Sequence, residues 1–186
     1  TYAAGQLARR MNLPYRSGGA FCGSKLPDAQ AAYETANSLN MALLAGVNFM
    51  LHACGWLEGG LVSSYEKFVM DADQLGTLHH LAKGIIMDAN GQGMDAIRAV
   101  GPGGHYLGCE HTQANFKSAF WRSDLFDYKP FETWFEEGAR DTQALAGLRV
   151  TRLLGDYQPP ALDEGTAEAL VAYVARRKSE MPDAFV

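Results

Sequence analysis

Short apolar runs that end in glycine-rich loops and lead into long helical segments fill residues 1–120. This alternation narrows the possible architectures more than any other feature of the chain. Thr1 to Asn12 reads as a helix, and Leu13 to Ser17 is a short run closed by Gly18-Gly19. Pro27 and Asp28 then open a long helix through about Ala45. The missing N–H of proline costs nothing in a first turn, and an acid suits a helix N-terminus. Gly46 ends that helix, and Val47-Asn48-Phe49-Met50-Leu51-His52 reads as a buried strand that stops at Gly55. Ser63 and Glu66 have capping-box spacing. Behind them Phe68, Val69, Ala72, Leu75 and His79 form one helical stripe. A helix over Gly93 to Val100 meets the stop Gly101-Pro102-Gly103-Gly104. His105-Tyr106-Leu107 is a third strand candidate, and Thr112 is the expected cap of the next helix.

Strand, helix, strand, helix, strand is the pattern of right-handed parallel crossovers. No Gly-x-Gly-x-x-Gly follows a strand, which counts against a dinucleotide-binding sheet. Short strands followed by loops rich in Gly, His and Trp favour a (β/α) barrel. Three units cannot close a barrel of eight strands and roughly 250 residues. The expected fold class is therefore α/β, the C-terminal part of a (β/α)8 TIM barrel followed by surface helices. Its first strand would carry an unpaired edge that dimerisation is one way to cover. Thr1 stands in the middle of a helical segment, which predicts a fragment of something longer. Glycine is concentrated early, with 16 of 20 before residue 121, while charge is denser afterwards. The expected division is thus 1–120 for the barrel units and 121–186 for a helical extension packing on them. That extension contains Pro130 to Gly138, Asp141 to Asp156 and a helix capped by Asp163 and closed by Pro182.

Function classes are limited by charge and hydropathy. The 16 Lys and Arg against 21 Asp and Glu leave a net charge of −5. That balance argues against a general nucleic-acid binder or electrostatic attachment to an anionic membrane. The most apolar stretch, Ala42 to Leu57, is interrupted by Asn48 and His52 and falls short of the roughly 20 residues that span a bilayer. Cys22, Cys54 and Cys109 are odd in number and widely spaced, so a reducing compartment is expected. No signal-peptide pattern is visible at the start. The expected location is the cytoplasm.

In a barrel, function sits where strands end and loops begin. That rule selects Gly19 to Lys25, His52 to Gly60 and Gly108 to Thr112. His52, at the end of the most apolar strand, is suited to hydrogen-bond a ligand, ligate a metal or act as a base, or else to serve the core. Cys54 shares its strand face if the strand continues. A His/Cys metal site would need further ligands that are not nearby in sequence, so no metal residue is assigned. Trp56, in a glycine-flanked loop, is either a packing plug or one wall of a cation pocket. Phe21, Tyr65 and Tyr106 are candidate further walls, since aromatic faces attract cations. Glu110-His111 has the composition of an acid/base or ligand pair, although neighbours on a strand point apart. Glu110 is equally placed to serve the start of the next helix. His79-His80 lies mid-helix, where at most one ring can face inward. Gly101 to Gly104 lacks the Lys and Ser/Thr of a P-loop.

Several phrases are specific enough to carry a resemblance. Ser24-Lys25-Leu26-Pro27-Asp28-Ala29-Gln30-Ala31-Ala32-Tyr33-Glu34 resembles a signature of the trimethylamine methyltransferase family, corrinoid-dependent enzymes acting on methylated amines. Gly55-Trp56-Leu57-Glu58-Gly59-Gly60-Leu61 does so too, with Ser64 to Val69 after it. So do Val100 to Gly108 with Glu110-His111-Thr112, and Trp134, Gly138-Ala139 and Tyr157-Gln158-Pro159-Pro160. The likeness runs through essentially the whole chain, in order, and covers the C-terminal part of a family member.

The resemblance implies a TIM barrel and a methyl transfer from a methylated ammonium to the Co(I) of a corrinoid (cobalamin-type) cofactor. A separate small corrinoid-binding protein carries that cofactor and docks over the barrel mouth. The trimethylamine enzymes use pyrrolysine, which is absent here. Members without it act on quaternary amines such as glycine betaine, and this chain is similar to those. The expected catalytic residues are His52 and Glu110. The expected substrate walls are Phe21, Trp56, Tyr65 and Tyr106, and the expected corrinoid-facing residues are His52, Gly55 and His111. Two other functions fit the same residues: a non-catalytic truncated barrel that binds the corrinoid protein, and a metal-dependent hydrolase using His52, His105 or His111.

Overall fold

A computed structural model describes residues 1–181 of the 186. These divide into two compact units, Thr1–Arg152 and a second that begins at Leu153. The expected closing role of Pro182 lies outside the described residues.

The first unit starts with α1 (Tyr2–Arg10), β1 (Arg16–Gly18), α2 (Ala29–Leu44) and β2 (Phe49–Leu51). Strands β1 and β2 pair in parallel, in the register Arg16↔Phe49, Ser17↔Met50 and Gly18↔Leu51. The predicted crossover is therefore present, with α2 as its helix. Asp28 caps α2 through a bond from the Ala31 amide to its carboxylate, which holds the helix start next to the first glycine-rich loop. Beyond β2, a tight antiparallel pair of β3 (Trp56–Leu57) and β4 (Val62–Ser63) encloses a single turn, Glu58–Gly60. Helix α3 (Tyr65–Ala82) follows.

Apolar burial knits these pieces together. Ala20, Leu39 and Leu78 form one cluster, with Leu43, Met50, Ala53 and Leu75 against it. Cys22, Ala31 and Leu57 form a second. Both lie between the crossover helices and the segments that follow the strands. They fix the loops because burial removes roughly 25 cal/mol of exposure cost per Å² of apolar surface.

Four expectations need correction. The cap of α3 is Ser64, which accepts from the Lys67 amide, one residue later than the predicted Ser63. The buried face of α3 is Lys67, Val69, Asp71 and Leu78. Of the predicted stripe, Phe68, Ala72 and His79 face solvent. A buried ion pair has turned the helix relative to its purely apolar pattern. His105-Tyr106-Leu107 forms no strand. Gly101 and Gly103 take left-handed conformations just before it, and the segment pairs with no strand among the described residues. Thr112 lies inside α6 (Glu110–Asn115), whose N-cap is Cys109.

Between α3 and α6 run α4 (Ala89–Gln92) and α5 (Met94–Val100). Further along the chain, α7 (Phe131–Glu136) and α8 (Thr142–Gly155) follow, with Ala146 of α8 buried beside Val69 and Leu125. The second unit holds α9 (Glu164–Glu180), capped by Asp163 as expected. The architecture is mixed α/β with two small two-stranded sheets, and the described residues form no closed barrel. No helix among them is long and apolar enough to cross a membrane.

Candidate functional site

Past the ends of the two parallel strands, the chain builds a pair of interlocked loops. The Ala20 amide donates to the His52 carbonyl (2.9 Å), continuing the β1–β2 pairing beyond the strands. The Cys22 thiol donates to the Trp56 carbonyl (3.2 Å). The Gly59 amide reaches the Cys22 carbonyl (2.7 Å), and the Glu58 amide reaches that of Ser24 (2.9 Å). Residues 20–24 and 52–59 are therefore tied to each other, because their polar groups satisfy one another.

The tied loops carry three rings. Phe21 and His52 have centroids 4.7 Å apart, Phe21 and Trp56 5.9 Å, and His52 and Trp56 5.5 Å with near-perpendicular planes. All three separations are those of favourable aromatic pairs. Backbone geometry makes the cluster possible. His52 takes a left-handed conformation (φ 52°) immediately after β2, which breaks the strand alternation that would have aligned it with Cys54. At Gly60, with φ 96°, an added Cβ would lie 2.5 Å from the Phe21 ring. Only glycine leaves room for the phenyl there. Trp56 is half-buried, while Phe21 and His52 keep an exposed side.

Beneath the rings lies a charged group that apolar patterning missed. Lys67 is 2% exposed. Its Nζ donates to Asp71 Oδ2 at 2.5 Å and to Thr35 Oγ1 of α2 at 2.8 Å. The Ala20 carbonyl is a longer third contact at 3.5 Å. The same Asp71 oxygen accepts from the Gly55 amide at 2.8 Å. Burial pushes the Asp71 carboxyl above its ordinary value, while Lys67 and the Gly55 amide pull it back. A Lys and an Asp four residues apart on one helix are legible as a pair. Nothing in the spacing shows that the pair is buried, since lysine is almost always exposed.

The rim is held by carboxylates. Asp28 sits below its ordinary value because the Ala31 amide and the Ser24 hydroxyl donate to it. Glu34 is lowered in the same way by Gln30 and the Gly23 amide. Cys54, half-buried, has its thiol pushed up to about 11, mainly by burial, so it stays protonated and unreactive at neutral pH.

Of the predicted site residues, Phe21, His52 and Trp56 meet. Gly55 lies between the latter two in the chain, buried, with its amide on Asp71. Tyr65 opens α3, 67% exposed and outside the three-ring group. Tyr106 lies in the turn before α6. Glu110 and His111 begin that helix and line a separate open cleft with Asp95, His105 and Cys109. His111 Nε2 is bonded to the Asn90 carbonyl at 2.7 Å. Among the described residues, no three His, Cys, Asp or Glu side chains converge as a metal-binding set.

Comparison with known proteins identifies the lineage. The family model described as Trimethylamine methyltransferase (MTTB) matches residues 1–182. Glycine betaine methyltransferase of Desulfitobacterium hafniense (strain Y51) is 43% identical over 179 residues, covering 96% of this chain and 37% of the relative. Trimethylamine methyltransferase MttB of Desulfitobacterium hafniense (strain DSM 10664 / DCB-2) is 30% identical over 94% of this chain and 35% of its own length. Proline betaine:corrinoid methyltransferase of Eubacterium limosum is 32% identical over 90% of this chain and 35% of its own length. The chain thus spans about a third of the length of the curated relatives it matches. On the strength of a match that runs nearly end to end, the chain belongs to the trimethylamine methyltransferase family.

Proposed function

We propose that this chain is the C-terminal part of a (β/α)8-barrel methyltransferase, with its barrel units in residues 1–120 and a helical extension from 121. The enzyme moves a methyl group from a quaternary amine such as glycine betaine to the Co(I) of a corrinoid carried by a separate small protein. One observation carries this reading: Phe21, His52 and Trp56 cluster directly beyond the ends of two parallel strands. The relatives named for glycine betaine and proline betaine support the substrate class.

The chemistry asks little acid–base work of the protein. As the N–CH3 bond breaks, nitrogen keeps the bonding pair and leaves as a neutral tertiary amine, so no proton is delivered. The faces of Phe21 and Trp56 attract the permanent positive charge of the substrate, an interaction worth about 2 kcal/mol when desolvated. His52 packs against both rings and from its exposed side would position the substrate. Alignment of the reacting methyl is the main catalytic task, because fixed geometry replaces the entropy cost of a chance encounter. A corrinoid, when bound, would supply the Co(I) nucleophile. The exposed sides of Phe21 and His52, next to the glycine turn at 59–60, would face such a partner, whereas Gly55 is buried against Asp71 and would not.

The test is methyl transfer from glycine betaine to free cob(I)alamin by the full-length protein, followed by loss of the Co(I) absorbance. Trp56→Ala is expected to lower kcat/KM about 30-fold, the rate equivalent of ~2 kcal/mol. Transfer undiminished by both Trp56→Ala and His52→Ala would overturn the assignment.

A further inference from the structure

The two loops that carry the rings share an anchor below them. Asp71 Oδ2 holds the Gly55 amide, one residue before Trp56. Lys67, on the same carboxylate oxygen, reaches the Ala20 carbonyl, one residue before Phe21, as well as Thr35 of α2. Asp71 and Lys67 are 5% and 2% exposed, so water does not compete for these bonds. Lys67 and Asp71 lie one turn apart on α3, a long helix that does not itself contribute a ring to the cluster. We propose that Lys67 and Asp71 are positioning residues: one buried ion pair clasps both ring-bearing loops and sets the spacing of Phe21, His52 and Trp56.

The reasoning is geometric. A ring displaced by an ångström loses most of its purchase on a cation and on the reacting methyl. Interloop backbone bonds alone hold the loops to each other, whereas the clasp holds both of them to α3 and α2. An apolar pair of similar volume would fill the space equally well, since buried ion pairs replaced together by apolar residues often leave stability unchanged or improved. What such a replacement cannot supply is an acceptor for the Gly55 amide and a donor for the Ala20 carbonyl. A lysine at this depth is therefore better explained by loop placement than by stability. The proposal rests on the ring site described above for its functional meaning, though not for its geometry.

The full-length protein is tested with Trp121→Phe and Trp134→Phe, and with any tryptophan outside this chain likewise replaced, so that Trp56 is the sole emitter. The double variant Lys67→Met/Asp71→Leu removes both charges at once and leaves neither buried alone. The clasp predicts several-fold greater quenching of Trp56 by acrylamide in a variant that still unfolds cooperatively, with a melting temperature lowered because the Gly55 amide loses its acceptor. Lys67→Met/Asp71→Asn, which keeps an uncharged acceptor and leaves no charge buried alone, is the second variant should the first fail to fold. Its weaker acceptor is expected to speed amide exchange at Gly55 roughly tenfold while exchange in α8 stays as before. Equal quenching in the folded Lys67→Met/Asp71→Leu variant, or unchanged Gly55 exchange in Lys67→Met/Asp71→Asn, overturns the clasp. Tetramethylammonium is then titrated against the same emission. A ring that loosens in the variant upholds the clasp even where the wild type ignores tetramethylammonium, and that outcome overturns the cation site alone.

Discussion

Gly60 sets the tightest constraint on the ring cluster at the level of single residues. Its left-handed backbone and the Phe21 ring 2.5 Å from an imagined Cβ act together. Gly60→Ala is expected to cost about 1–3 kcal/mol in urea unfolding, from strain plus the displaced ring. It should also shift Trp56 emission, because Phe21 has to move against the indole. No change in either quantity would show that the cluster is looser than these distances imply. The sequence named Phe21, His52 and Trp56 as ring candidates beside glycines after apolar runs, and the structure brings these three together. The sequence could not separate them from Tyr65 and Tyr106. That distinction depends on which loops lie against each other, and no local spacing encodes it. Lys67 was illegible for the opposite reason: its type argues for solvent, and only the packing of α2 on α3 buries it.

Caps, turns and carboxylates act at the scale of elements. Ser64 accepts from the Lys67 amide at the start of α3, so Ser64→Ala should destabilise by about 1 kcal/mol while Ser63→Ala changes almost nothing. Equal effects in thermal unfolding would restore the cap to Ser63. The loop from Gly23 to Asp28 has a pH dependence of defined sign. Asp28 and Glu34 are both lowered in the fold by the hydrogen bonds they accept. Their contribution is therefore complete above the ordinary carboxylate range and is lost as pH falls through their folded values. Amide exchange at Gly23 and Ala31, corrected for its intrinsic rate, should stay protected through the ordinary carboxylate range and lose protection only below it. Protection that persists there would contradict the assignment. The starts of α2 and α9 were legible, since Asp28 and Asp163 carry their own local signals, whereas those of α3 and α6 were placed at Ser63 and Thr112 and lie at Ser64 and Cys109. The third strand was not, because a strand exists only with a partner and His105 to Leu107 finds none among the described residues.

At the scale of the whole molecule, the family likeness and the parallel β1–α2–β2 unit support one another. The chain spans about a third of its relatives' length, and the crossover places its rings beyond the strand ends, where a barrel gathers its catalytic loops. The central claim is that this ring cluster recognises positive charge on a methylated nitrogen. Equilibrium binding to the full-length protein of glycine betaine and of tert-butylacetate, its neutral carbon isostere, tests that claim most directly. The two share shape and carboxylate and differ in the charge that the rings face. Betaine is expected to bind about 30-fold more tightly, with the preference largely abolished by Trp56→Ala. Equal affinity for the two in the unsubstituted protein would contradict the account.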